Sequence, residues 1–452
     1  MAGPLLAQPH RLPQSRPMTR LIPWYLLLVL AACKAPPPDP DAPSVQADAP
    51  IVENSCFWNG PWVREDPARN YAYPDTGAAY WAARFTLPEN TELELGGDFA
   101  YARYTSLVLY ENAGEPSDSL KDVDIAPDPG SRNPYLDGTE RSARPRRWHA
   151  RIAAADVPTP RAPNHLYSGK DKREVALLYR VYVPDKQYGR TGGVALPRAQ
   201  LVGADGARLS EAETCQRIAA NDKPMPGTVP AKAAYAVARD RPLQARTFPA
   251  DDPPQWHAFY DTRHQAACIY LKNCVGEPQR KGGVLSNPDN AYLTAMINRG
   301  FGPLLVLHGR LPRIPATEAG GGRMRAGDLR YWSICNYEAY TQKAMACLYD
   351  EQLPLDAERG YTIVVSRAGD RPANARRECG VAWLEWTAAG DGAGHDDDGM
   401  LFLRNMLPSP GFTHAVQSTS RPGDEREVMG EYLPVAAYSS VAEFERRGCG
   451  KP

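Results

Sequence analysis

The sequence predicts an all-β protein made by tandem duplication of one domain, and three observations support this prediction. Segments 102–111 and 329–338 carry Arg, Tyr, Ser, Tyr and Glu at identical offsets, and both alternate side chains between two faces as strands do. The composition combines 44 Pro and 37 Gly with 23 Tyr against 9 Phe, which is typical of short strands joined by many turns. A chain of 452 residues also exceeds what one core usually supports.

The sequences that flank these two segments repeat in the same order. Tyr80 lies as far ahead of Leu93 as Tyr292 lies ahead of Leu305. The other matched segments are 74–75 with 288–289, 148–152 with 361–365, and 176–182 with 380–386. In the first copy, β-branched and aromatic runs predict strands at 79–86, 91–95, 102–110, 147–152 and 174–183.

The first 54 residues are predicted to be a lipoprotein signal and a tether. An apolar run at 21–30 follows Arg20 and is too short to span a bilayer, which is the layout of a secretory signal. The sequence Leu30-Ala-Ala-Cys33 resembles the bacterial lipobox, and this resemblance implies that Cys33 is lipidated and becomes the mature N-terminus. Ordinary cleavage near Ala32 is the alternative. We expect translation to begin at Met18 and residues 34–54, rich in Pro, Ala and Asp, to form the tether.

Beyond the tether we expect a first β domain at 55–216, a linker at 217–254 and a second β domain at 255–452. A short C-terminal helix is predicted because Ser440 and Glu443 have capping-box spacing and Gly448 supplies a stop. Aspartates cluster in two loops, at 112–145 and 390–399, but neither loop has EF-hand spacing. We therefore expect solvated polar loops without a metal, and a looser cation site is the alternative.

Eight cysteines remain once Cys33 is set aside, and an even number in an oxidising compartment predicts disulfides. Cys56 and Cys215 are the only cysteines of the first domain and lie at its two ends, so we expect them to pair. The pairs expected in the second domain are Cys268–Cys274 around a turn, Cys335–Cys347 between neighbouring strands, and Cys379–Cys449, which would hold the terminal helix.

The sequence contains no recognisable catalytic or cofactor-binding motif. A zincin helix, a Walker loop, a Cys-x-x-Cys pair and a Gly-x-Ser-x-Gly elbow are all missing, so no catalytic residue, metal ligand or cofactor is predicted. Ser106 and Ser333 are matched in the two copies, but neither has a corresponding His that could act as its base. The formal net charge of −1 argues against a nucleic-acid partner.

Four charged residues are the candidate binding residues: Arg103, Glu111, Arg330 and Glu338. An Arg and a Glu eight positions apart on a strand are about 26 Å apart, so they cannot bond each other and must meet other partners. We expect contacts that fix the fold, and a ligand cleft is the alternative.

The strand core 104–111 and the later strand 178–184, Leu-Tyr-Arg-Val-Tyr-Val-Pro, are similar to a bacterial domain of unknown function that occurs in envelope and secreted proteins. This resemblance implies a jelly-roll sandwich and carries no activity. The second copy departs from the pattern at Trp383-Leu-Glu-Trp386. The layout of the whole chain resembles uncharacterised bacterial lipoproteins.

Together these features predict two tandem jelly-roll-like β-sandwich domains on a lipid anchor at the bacterial cell envelope, outside the cytoplasm. The first hypothesis for function is a binding or scaffold module for envelope glycan or another envelope component. The alternative is a hydrolase or lyase acting on a saccharide. Two carboxyl groups about 5 to 10 Å apart in an aromatic-lined cleft would favour the enzyme.

Overall fold

The computed structural model describes residues 55–112, 114–240 and 249–449. Its strands form two five-stranded and two four-stranded sheets, and its helices are few and short. The prediction of an all-β fold with two sandwich domains is therefore confirmed. Within the described ranges, no helix is both long enough and apolar enough to cross a membrane. Cys33 and the predicted tether lie outside the described residues.

The first sandwich consists of nine strands followed by one helix. These are β1 (Asn59–Trp62), β2 (Ala78–Thr86), β3 (Thr91–Asp98), β4 (Ala102–Tyr110), β5 (Pro116–Lys121), β6 (Arg147–Ala153), β7 (His165–Tyr167), β8 (Glu174–Pro184), β9 (Arg198–Gly203) and α1 (Glu211–Arg217). The sheet orders are β1-β2-β8-β4-β5 and β7-β6-β3-β9. Buried side chains of both sheets, among them Trp81, Trp148 and Leu177, form the core between them.

A linker helix precedes the second sandwich, which again has nine strands. The elements are α2 (Lys232–Arg239), β10 (His257–Ala258), α3 (Thr262–Leu271), β11 (Asn290–Asn298), β12 (Leu304–Arg310), β13 (Tyr331–Tyr337), β14 (Ala344–Tyr349), β15 (Gly360–Ser366), β16 (Val381–Glu385), β17 (Asp398–Met406), α4 (Glu425–Met429), β18 (Val435–Ser439) and α5 (Val441–Glu445). The sheet orders are β10-β11-β17-β13-β14 and β16-β15-β12-β18.

The two sandwiches have the same topology, strand for strand. In both, the chain crosses repeatedly between the two sheets, as in a jelly-roll-like sandwich, and one pair in each four-stranded sheet is parallel, β6 with β7 and β15 with β16. Ser106 faces Arg180 across the β4–β8 pair, and Ser333 faces Arg404 across the β13–β17 pair. The predicted duplication is therefore confirmed, and Tyr104 and Tyr331 lie on equivalent strands.

One of the predicted segment matches is wrong. The equivalent of β8 is β17, so residues 176–182 correspond to 400–406 and not to 380–386. Residues 381–385 form β16, which is the equivalent of β7 and pairs in parallel with β15. The error arose because 380–386 also alternates apolar and aromatic residues and occurs in the expected order along the chain.

All four predicted disulfides are present: Cys56–Cys215, Cys268–Cys274, Cys335–Cys347 and Cys379–Cys449. The predicted terminal helix is α5, where the Ser440 hydroxyl accepts a hydrogen bond from the Glu443 amide at 3.2 Å. Cys215 lies in α1, and its disulfide with Cys56 ties the end of the first domain to its start. Cys449 follows α5, and its disulfide with Cys379 ties the end of the second domain to the segment just before β16.

Candidate ligand cavity between the two sandwiches

The two sandwiches are held together by a reciprocal exchange of two short segments. We call residues 71–75 the first arm and residues 283–287 the second arm. Tyr337 of the second sandwich donates to the first arm, at the carbonyl oxygens of Tyr73 (3.2 Å) and Pro74 (2.9 Å). Tyr110 of the first sandwich donates in the same way to the carbonyl oxygens of Leu285 and Ser286 in the second arm. Each sandwich therefore contributes an arm to the other, as in an interface between two identical subunits.

The arms also match in backbone conformation. Tyr73 and Leu285 occupy equivalent places and both have left-handed φ angles, 54° and 58°. Such angles are uncommon for side chains of this size, and surrounding contacts must hold them. The backbone amide of Asp75 donates to the Tyr80 hydroxyl, and the backbone amide of Asn287 donates likewise to the Tyr292 hydroxyl. Asp75 is therefore equivalent to Asn287, and the sequence match of Asp75 with Asp289 is wrong by two residues.

A second set of reciprocal contacts uses buried charges. Arg103 of the first sandwich bonds the Asp350 carboxylate at 2.6 Å and also bonds Glu351, both of the second sandwich. Arg330 of the second sandwich lies 3.7 Å from the Asp122 carboxylate of the first. Because these arginines pair across the junction, they have the fold-fixing contacts that were expected for them.

Two further equivalent arginines, Arg180 on β8 and Arg404 on β17, face the space between the five-stranded sheets. Each donates through Nη2 to the arm of the opposite sandwich, Arg180 to the Leu285 carbonyl oxygen at 2.8 Å and Arg404 to that of Tyr73 at 2.7 Å. Each also lies over aromatic rings, with Arg180 5.9 Å from the centroid of Tyr80. Sequence reasoning missed this pair because Arg404 was placed outside the repeat.

A cavity of about 330 Å³ lies between the sandwiches and is lined by residues of both. Its wall contains equivalent residues from the two copies, including Arg180 with Arg404, Leu178 with Phe402, and residues of both arms. Aromatic side chains dominate the wall: Trp62, Tyr71, Tyr73, Tyr80, Tyr182, Tyr235, Phe259, Tyr270, Tyr292 and Phe402. The volume falls within the range of pockets that hold small ligands.

The linker and α3 complete one side of the cavity. Tyr235 of α2 lines the wall and donates to the Asp391 carboxylate at 2.8 Å, while Arg239 of the same helix bonds Asp398 at 2.6 Å. His395 contacts Asp391 at 2.6 Å. Asp391 and Asp398 of this acidic loop are thus buried and paired, contrary to the expectation of a solvated polar loop, and they hold the linker helix against the second sandwich, whereas Asp396 and Asp397 are exposed.

Burial favours the protonated form of four tyrosines of the cavity. It raises the pKa of Tyr71 to about 12 and raises the pKa values of Tyr73, Tyr80 and Tyr182 as well. A tyrosine that acts as a general base needs a pKa closer to the working pH. The hydroxyls of these four residues are therefore suited to hydrogen bonding and not to proton abstraction.

The four candidate binding residues lie outside the cavity wall. Arg103 and Arg330 form the ion pairs across the junction, Glu111 lies at the surface 2.7 Å from the Lys172 amine, and Glu338 accepts from the Thr341 hydroxyl. Ser333 donates to the Asp75 carboxylate at 2.6 Å, which makes it a structural contact. The cavity depends instead on aromatic residues that are spread along the chain.

Three groups of side chains have the types and spacing of metal ligands. Two of these groups include disulfide-bonded sulfurs, Cys268 with Cys274 beside His257, and Cys335 with Cys347 beside Asp75. The third is Asp391, His395 and Asp398, whose carboxylates already bond Tyr235 and Arg239. Protein partners thus satisfy the ligand atoms of all three groups.

Comparisons with known proteins do not assign this chain to a family. No family model matches the chain, and no curated protein matches it. Among solved structures it is similar to an uncharacterised protein from Burkholderia cenocepacia, with a TM-score of 0.44, 14% sequence identity, and 87% of this chain and 85% of that one covered. It is also similar to a protein from Vibrio parahaemolyticus, with a TM-score of 0.40, 10% identity, and 86% of this chain and 92% of that one covered.

Proposed function

We propose that this protein is a lipid-anchored binding module of the bacterial cell envelope, and that the cavity between its sandwiches binds a short saccharide part of an envelope glycan. The observation that carries the proposal is the aromatic wall of the cavity, to which both sandwiches and the linker contribute. A saccharide presents apolar C–H faces and polar edges. Aromatic rings pack on such faces, and a few polar groups fix the orientation of the ligand.

Polar groups of this kind are present in the wall. Gln265 and Gln342 line the cavity, and the Oε1 of Gln265 is a buried acceptor without a hydrogen-bond partner. The indole Nε1 of Trp62, also in the wall, is a buried donor without a partner. Because buried polar atoms are nearly always paired, these atoms are natural contacts for hydroxyl groups of a ligand.

The alternative, a saccharide hydrolase, is less well supported. Hydrolysis of a glycosidic bond usually needs two carboxyl groups that face each other across the substrate. Among the described residues, the cavity wall contains neither Asp nor Glu. A lyase would need a base in the wall, and burial raises the pKa values of Tyr71, Tyr80 and Tyr182 rather than lowering them. Binding without chemistry is therefore the favoured function.

Glycan-array binding followed by calorimetry tests this function. The full chain carrying Cys33→Ala, which removes the proposed lipid site, should bind a restricted set of saccharides. Trp62→Ala should weaken that binding at least tenfold because it removes an aromatic face and a free donor from the wall. Trp383→Ala is the matched control, since Trp383 lies on β16 outside the cavity. Equal loss in both variants, or no saccharide bound at all, would contradict the proposal.

The lipid anchor has its own test. Cys33→Ala should move the protein from the membrane fraction to the soluble fraction and abolish labelling with palmitate, because the lipid chains supply the membrane affinity. Membrane association that is unchanged in this variant would show that the lipobox resemblance is misleading.

A further inference from the structure

The two equivalent arginines of the cavity differ in their counter-charge. Arg404 lies 3.6 Å from the Asp75 carboxylate, which comes from the first arm. The equivalent position in the second arm is Asn287, whose amide is neutral. Within the described residues, Arg180 has no carboxylate within 4.0 Å, although Arg404 has one.

The donors of Arg180 are correspondingly incomplete. Its side chain lines the cavity and is only 1% exposed. Nη2 bonds the Tyr110 hydroxyl and the Leu285 carbonyl oxygen, but Nε and Nη1 have no hydrogen-bond partner in the part of the chain that the structure describes. The nearby Asp289 carboxylate accepts instead from the Tyr104 hydroxyl at 2.6 Å. A residue of the cavity wall therefore holds two charged donors that are buried and unsatisfied by the described residues.

An arrangement of this kind is costly in the unliganded protein. A buried guanidinium is always charged, and burying it without a paired anion is strongly unfavourable. Unsatisfied buried donors are rare enough that each one calls for an explanation. In the second copy Arg404 Nη1 donates to the Cys335 Sγ at 3.0 Å, and Asp75 of the arm supplies an anion at 3.6 Å. In the first copy the equivalent residue of the arm is Asn287, which supplies an amide and no anion.

We infer that Arg180 binds a carboxylate carried by the ligand, so that the cavity selects an acidic saccharide such as a uronic acid. The carboxylate of the ligand would take the role toward Arg180 that Asp75 has toward Arg404. Charge-assisted hydrogen bonds from a guanidinium to a carboxylate are about twice as strong as neutral ones, which gives selectivity for the acid over the neutral sugar. The saccharide part of this inference rests on the proposed function, whereas the anion at Arg180 does not.

The test compares galacturonate with galactose, using the full chain with Cys33→Ala and calorimetry. Galacturonate should bind at least tenfold more tightly than galactose. Asn287→Asp is the decisive variant, because it places an aspartate in the second arm at the position equivalent to Asp75. It should reduce the ratio of the two affinities to about 1 and raise the melting temperature of the unliganded protein. Arg180→Gln should also remove the preference, and circular dichroism identifies a variant that fails to fold.

Acetate provides an arm of the test that does not depend on sugar. It should raise the melting temperature of the parent protein and not that of the Asn287→Asp variant. Asp75→Asn gives the reciprocal control, since it removes the anion from Arg404 and should increase the stabilisation by acetate.

The outcomes separate the two proposals. Equal binding of galacturonate and galactose would overturn the inference about Arg180 and leave saccharide binding intact. Stabilisation by acetate without binding of either sugar would support the anion site and refute the saccharide. If neither sugar binds and acetate has the same effect on the parent and on Asn287→Asp, both proposals fail.

Discussion

The first sandwich buries Arg180 with two unpaired donors, whereas the second buries the equivalent Arg404 3.6 Å from a carboxylate. The backbone contacts around the two arginines are otherwise the same, since each bonds a carbonyl oxygen of the opposite arm. Two positions differ: the arms carry Asp75 in one and Asn287 in the other, and Cys335, whose Sγ accepts from Arg404 Nη1 at 3.0 Å, is replaced by Val108 in the first copy. The contacts that both arginines share hold the fold, whereas the counter-charge that only Arg404 has can differ between the copies and is available for ligand binding at Arg180.

The ion pairs across the junction show a second inequality. Arg103 is fully buried and contacts two acids, Asp350 and Glu351, while Arg330 is 15% exposed and has Asp122 as the only acid within 4.0 Å among the described residues. We therefore expect the two equivalent arginines to contribute unequally to the free energy of unfolding, and matched substitutions measure each contribution.

The largest expected effect comes from the disulfides that close the two domains. Replacing Cys56 and Cys215 by Ser opens a loop with a sequence separation of 159, against 70 for Cys379 and Cys449. In the chain-entropy model, the first replacement costs about 5 kcal/mol and the second about 4 kcal/mol, because the longer loop loses more entropy on closure. Denaturation by urea measures both. A greater loss for the shorter loop would mean that contacts in the folded state outweigh chain entropy.

Removal of the junction arginines should produce unequal losses. Arg103→Met leaves two acids without their cation and should lower the free energy of unfolding by about 3 to 5 kcal/mol. Arg330→Met should cost about 1 to 2 kcal/mol, because Asp122 can take up a proton once its cation is gone. Equal losses of unfolding free energy in the two variants would contradict this prediction and show that both ion pairs stabilise the junction to the same extent.

The pH dependence of stability should expose Asp122. Burial raises the pKa of Asp122 to about 7 from an ordinary value of 3.8, although Arg330 opposes the shift. A raised pKa means that the folded state holds the proton more tightly, so the contribution is fully present below about pH 4 and is lost as the pH rises through 7. Between about pH 4 and pH 7, the free energy of unfolding of the parent protein should therefore fall more than that of the Asp122→Asn variant, by on the order of a few kcal/mol. Parallel pH profiles for the two would contradict the assignment.

The smallest effect is expected from exchange of the arm residues. Asp75→Asn should lower the free energy of unfolding by about 1 to 2 kcal/mol, because Arg404 and Ser333 lose their carboxylate. Asn287→Asp should raise it by about 1 kcal/mol through a new partner for Arg180. Unfolding curves of both variants and of the double exchange give the answer. Losses of the same sign in both single variants would refute the equivalence of the two arms.

Much of the fold could be predicted from sequence, since the repeat of Arg, Tyr, Ser, Tyr and Glu marks equivalent strands, β4 and β13. The cysteine pairs followed from their positions at domain ends and around turns. The repeat does not single out β17 in the sequence, because the earlier segment 380–386 already fits the repeat in the expected order. A usable signal was present, however: Leu177 and Arg180 in β8 have the same spacing as Leu401 and Arg404 in β17.

The cavity could not be predicted in the same way. Its wall joins residues that are far apart in sequence, such as Trp62 of β1, Tyr235 of the linker helix and Tyr292 of β11. Only the packing of one five-stranded sheet on the other brings them together. The acidic loops were also misjudged, because the sequence shows that Asp122, Asp391 and Asp398 are charged but not that arginines and tyrosines cover them.

Fusion of the two copies in one chain determines what each arm can become. In a homodimer of a single sandwich, one codon would specify both arms, so a change that improved ligand binding on one side would weaken the anchoring contact on the other. Here Asp75 and Asn287 are encoded separately. One arm can keep its internal ion pair while the other gives it up, and the duplicated protein thereby escapes a compromise that a symmetric ancestor would have to accept.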